Sequence, residues 1–107
     1  MPEKLRRQLG GDVFMKKCAF CGSNQVQFHH AIIYKGCQLQ EWWAIVPACF
    51  RWDGQGCHQL VDKDKEMKLY FELVALERAP KEDIEKYGLG QRLKYLNKKL
   101  DKTAQMC

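Results

Sequence analysis

The sequence predicts one small α+β domain, a short antiparallel β-hairpin followed by helices. Three observations predict it. Val26 to Tyr34 and Trp42 to Pro47 are rich in β-branched and aromatic residues, as strands are. From His58 onward, apolar residues recur at the spacing of a helix face. Two pairs of cysteines, Cys18 with Cys21 and Cys49 with Cys57, bracket both β segments. The 107 residues suit a single domain, whose core is modest for its surface and gains from a cross-link. Residues 1–17 read as a basic lead-in, 18–78 as the core, and 79–107 as a helical extension of the same domain.

Taken in order, Gly10-Gly11 ends any helix begun at Glu3. Cys18 to Gly22 forms a tight turn carrying two thiols, and Val26 to Tyr34 forms the first strand. Residues 36–40 turn the chain, and Trp42 to Pro47 forms the second strand, closed by Pro47. Cys49 to Gly56 is a loop that delivers Cys57 and His58 to a helix running to Arg78, with Met67, Tyr70, Phe71 and Val74 on one side. Pro80 opens a short helix that stops near Gly88. A last helix spans about 90–102, with Leu93, Leu96 and Leu100 along one face. Of Trp42 and Trp43, one is expected in the core, while Trp52 in the glycine loop is the better candidate for an exposed contact.

Six cysteines in a short chain point to disulfides or to metal. The basic start lacks an apolar leader segment, and no apolar run reaches the roughly 20 residues that span a bilayer, so the chain reads as cytoplasmic and not membrane-bound. In a reducing compartment thiols favour metal, which makes a secreted disulfide domain the lesser reading. The two-residue spacing of Cys18 and Cys21 lets one turn offer both sulfurs to a tetrahedral ion. With Cys49 and Cys57 they make a four-thiolate structural zinc site, Cys37 being an alternative to Cys49. Zinc stabilises a small fold directly, without a redox partner.

All three histidines lie within the cysteine frame or at its edge. His29 and His30 are neighbours on the first strand, so their side chains start toward opposite faces. His58 follows Cys57, and Asp62 lies four residues further, on the same side of a helix. His58 also reads as a fifth zinc ligand or a cap, and Asp62 as part of a solvated charged face.

The order Cys18-x-x-Cys21, His29-His30, Cys49, Cys57-His58 resembles the zinc-framed branch of the HNH endonucleases, over about residues 18–62. The resemblance implies a ββα-metal core with additional C-terminal helices, in which a hairpin and a helix clasp a divalent ion. It implies metal binding by His29, general-base work by His30, and further metal binding by His58 and Asp62. The catalytic ion would be Mg2+, Mn2+ or another divalent ion, and the substrate DNA. The compact layout is similar to the small HNH proteins of phages and prophages. Two features depart from the family pattern. Ala44 stands where the middle asparagine is expected, and the Cys49–Cys57 loop is long.

The formal charge of +5 suits a polyanionic partner. Lys4, Arg6, Arg7, Lys16 and Lys17 near the start, and Arg92, Lys94, Lys98, Lys99 and Lys102 near the end, are candidate phosphate contacts or solvated surface. Two functions remain open from the sequence. One is a metal-dependent DNA endonuclease; the other is a zinc-stabilised DNA- or protein-binding module with a non-catalytic site.

Overall fold

The computed structural model describes residues 3–105, with side chains through Leu100; Cys107 and the side chain of Lys102 lie outside the described residues. Helix α1 (Glu3–Gly10) leads to a single 3-10 turn, Val13–Lys16. Strands β1 (Val26–His30), β2 (Ile33–Tyr34), β3 (Cys37–Gln38) and β4 (Ile45–Cys49) follow. The helices are α2 (Cys57–Leu60), α3 (Lys65–Arg78), α4 (Lys81–Lys86) and α5 (Gly90–Gln105). The result is an α+β chain with two small antiparallel sheets, β1 with β4 and β2 with β3.

β1 and β4 pair from Val26↔Cys49 to His30↔Ile45. The first strand is shorter than the sequence suggests. After His30 the Ala31 N–H still bonds the Ala44 carbonyl at 2.9 Å, and then the chain peels away into the β2–β3 hairpin. Lys35 and Gly36 turn that hairpin with φ of 52° and 81°. Two consecutive positive values match the right-handed twist of the strands.

The second strand starts later and ends later than its composition suggests. Trp42–Ala44 is a 3-10 turn, and the strand begins only at Ile45. Tertiary packing overrides the β preference of the tryptophans. Trp43 is fully buried, with its indole N–H donating to Asp83 Oδ2 at 2.9 Å. Trp42 lies half-buried under the Arg78 guanidinium. Pro47 does not close the strand. It faces Phe28 in the ladder, and its carbonyl points outward to accept from the Ala19 N–H at 2.9 Å. The missing proline N–H therefore costs no sheet hydrogen bond.

The long helix expected over 58–78 is two. Asp64 takes an extended backbone (φ −115°, ψ 107°), and its carboxylate accepts from the Met67 N–H at 3.1 Å. An aspartate bonded this way is an N-cap, so α3 starts anew at Lys65. Pro80 serves α4 as its N-cap residue.

Every residue of β4 is buried, and the strand divides the core. Val46 and Ala48 pack with Phe71, Ala75, Leu76 and Leu96, from α3 and α5. Ile45 packs with Leu5, Leu9 and Met15. The basic lead-in is thus tied in as an amphipathic helix, and each buried leucine there contributes roughly 1.5–3 kcal/mol. Arg78 adds a second tie, 2.8 Å from Asp12 and stacked 3.8 Å over the Phe14 ring. Among the described residues, no helix is long and apolar enough to cross a membrane.

Candidate functional site

Three segments bring the thiols of Cys18, Cys21, Cys49 and Cys57 together. The Cys18 turn is closed by Gly22 N–H to the Cys18 carbonyl at 2.9 Å, and docks on β4 through Ala19 and Pro47. Cys49 ends β4, and Cys57 begins α2. The four sulfurs lie within 4.8 Å of one another, with Cys21 and Cys49 3.4 Å apart. A tetrahedral ion with bonds of ~2.3 Å needs sulfurs ~3.8 Å apart, so the set fits zinc. Cys37 is exposed on β3 and outside the cluster, which leaves Cys49 as the fourth ligand. The five cysteines from Cys18 to Cys57 carry no disulfide.

The electrostatics of the cluster suit a cation. Burial raises the Cys18 thiol, but backbone N–H donors around it and the Cys21 thiol outweigh that and hold it near 7. Burial and the neighbouring sulfurs push Cys57 well up, and burial raises Cys49. A bound divalent cation reverses that preference and deprotonates its thiols.

The long loop between Cys49 and Cys57 is braced from inside. Gln59 Oε1 accepts from Arg51 N–H at 3.1 Å and Gly56 N–H at 2.8 Å. Gly56 is needed for space. A Cβ there would stand 2.6 Å from the Cys49 carbonyl oxygen and 2.7 Å from the Arg51 nitrogen. Both are backbone atoms, one of Cys49 itself and one two residues beyond it, so relief requires moving this candidate metal ligand. Gly56→Ala is expected to cost about 1–3 kcal/mol and to weaken zinc retention, measured by melting and by competition with a chromophoric chelator. At the loop tip Trp52 is 96% exposed.

A second grouping lies beside β1. His29, His30, His58 and Asp62 line one cleft of about 380 Å³, together with Lys68. His29 and His58 meet edge to face with ring centres 5.4 Å apart, and His29 also packs on Phe71. Asp62 sits on the turn after α2, not on a continuing helix. His58 belongs to this cleft and is not a fifth member of the cysteine cluster. Among the described residues, the thiols are the one group gathered closely enough to hold a metal ion as they stand; His29, His58 and Asp62 share a cleft.

Burial, and then the neighbouring His58, push His29 down to about 4, and burial lowers His58. Both rings are therefore neutral at pH 7, the form in which imidazole binds metal. His58 Nδ1 donates to Gln27 Oε1 at 2.7 Å, which leaves the Nε2 lone pair free. His30 Nε2 is buried and has no hydrogen-bond partner. Ala44 is buried and offers no side-chain amide; its carbonyl bonds Ala31.

Sequence reasoning missed Gln27, Phe71 and Lys68. Gln27 was within reach, because it lies two residues before His29 and so shares its face of the strand. Lys68 carried no local signal, since the break at Asp64 sets its direction. Comparison with family models gave no match for the chain, and neither curated proteins nor solved structures gave one.

Proposed function

We propose that this chain is a zinc-stapled endonuclease that hydrolyses DNA phosphodiester bonds with a divalent ion, on a ββα-metal core made by β1, β4 and α2. One observation carries the reading: two imidazoles and a carboxylate from separate segments share a cleft with a third histidine whose ring nitrogen is buried and unpartnered.

His29, His58 and Asp62 are the residues that would hold the ion, a mixed nitrogen and oxygen set suited to Mg2+, Mn2+ or a similar metal. When bound, such an ion polarises the scissile phosphate and stabilises the leaving oxygen. Gln27 fixes the His58 ring through its Nδ1–H. Phe71 supports the His29 ring from behind. His30, which lines the same cleft, acts as general base toward the attacking water. Its own burial keeps His29 neutral, so its competence as a ligand persists below pH 7.

One observation favours a second reading, a zinc-stabilised DNA- or protein-binding module. Position 44 is a buried alanine and lacks the asparagine side chain. A plasmid-nicking assay separates the two. Zinc-loaded protein is expected to nick supercoiled DNA when Mg2+ or Mn2+ is added, and to leave it intact when the added ion is dialysed away with zinc retained. Absence of cleavage with every divalent ion tested, in folded protein that binds DNA, would leave the binding module.

A further inference from the structure

Three clefts adjoin one another around β1. The histidine cleft shares Phe28 and His30 with a neighbour of about 430 Å³ that Arg6 lines. It shares Ala31, Ile33 and Lys68 with another of about 400 Å³, lined on its far side by Arg92. His30 thus stands in the wall between the first two, and Lys68 between the second pair. Arg6 and Lys68 are exposed, and among the described residues no carboxylate pairs with either. The acidic residues lining these clefts are Asp62, beside the two metal-competent histidines, and Glu72, which Arg92 grips through two hydrogen bonds. Apart from Asp62, the lining charge outside the ion pairs is positive, Arg6 and Lys68, at one position on each side of His30.

We propose that the three clefts form one track for the sugar-phosphate backbone of a DNA strand, with Arg6 and Lys68 binding phosphates that flank the one His30 addresses. The proposal rests on the endonuclease reading for the role of His30, but the binding it describes does not require cleavage. A regularly charged chain matches cations set at intervals along a groove, and each such contact releases condensed counterions.

The test is the salt dependence of DNA affinity, measured by fluorescence anisotropy on the full zinc-loaded chain without added divalent ion, so that no cleavage enters. Arg6→Gln and Lys68→Gln are each expected to lower the slope of log K against log salt by about 1. Arg6→Lys and Lys68→Arg retain the charge and are expected to keep the wild-type slope. Lys81→Gln, on α4 and outside the three clefts, serves as the control. Zinc content and near-ultraviolet circular dichroism verify the fold of each variant. Equal slopes for the wild type, both neutral variants and the control would overturn the track, even if the wild type cleaves DNA. Lowered slopes in a protein that never cleaves would keep the track and remove the endonuclease reading.

Discussion

Stripping the thiolate-bound ion is expected to unfold most of the chain. The turn at Cys18, the end of β4 and the start of α2 converge at the cysteine cluster, and the loop over residues 51–55 between two of its ligands is wholly exposed. Zinc binding to such sites is worth roughly 10–16 kcal/mol in small peptides. A domain is stable by only roughly 5–15 kcal/mol in total. The ion's contribution is therefore of the same size as the whole net stability of a domain. A strong chelator at pH 7 should abolish the cooperative melt, and restored zinc should bring it back. Acidification acts in the same direction, because falling pH returns protons to the thiols and releases the ion.

The single substitutions should differ by burial. Cys57→Ser removes a ligand and leaves a hydroxyl in a buried position, while Cys21→Ser leaves one at the surface. The first is expected to cost more in melting temperature. Cys37→Ser, on exposed β3, should change neither zinc content nor stability. If the chelated chain kept its melting temperature, the staple would be no part of the fold.

His30→Ala is expected to lower cleavage by about 10²–10⁴-fold while leaving DNA affinity and zinc content in place. The stability cost should stay near 1 kcal/mol, since the half-buried ring gives up no hydrogen bond through Nε2. Chemistry and folding are separable at this residue. They are less so at His29, whose ring fills space against Phe71 and His58. Single-turnover cleavage of a duplex oligonucleotide, with a melt on the same preparations, measures both effects. Cleavage by His30→Ala at the wild-type rate would take the base assignment away from His30.

The cysteine cluster was legible in the sequence because its information is local: a two-residue gap between thiols fits one turn and one ion, whatever surrounds it. The C-terminal helix was legible for a similar reason, its leucines repeating on one face until Leu96 is buried. Elsewhere, distant contacts decide. Trp42 and Trp43 have strand composition, yet Asp83, forty residues away, takes the Trp43 indole into a 3-10 turn. The α2–α3 break depends on a single cap at Asp64 within a run of helix formers. The lead-in was legible only as a basic segment, because the burial of Leu5 and Leu9 depends on Met15 and Ile45 beyond it. Within the histidine cleft, the four-residue spacing suggested one helix face for His58 and Asp62; both line the cleft, but a turn and not a helix supplies Asp62.

The most direct test of the central claim is anomalous diffraction from crystals of the zinc-loaded protein soaked in Mn2+. The expected map has one zinc peak among Cys18, Cys21, Cys49 and Cys57, and a separate manganese peak bounded by His29, His58 and Asp62, with His30 on its open side. A map with the zinc peak alone, and no manganese in the histidine cleft at saturating concentration, would contradict it.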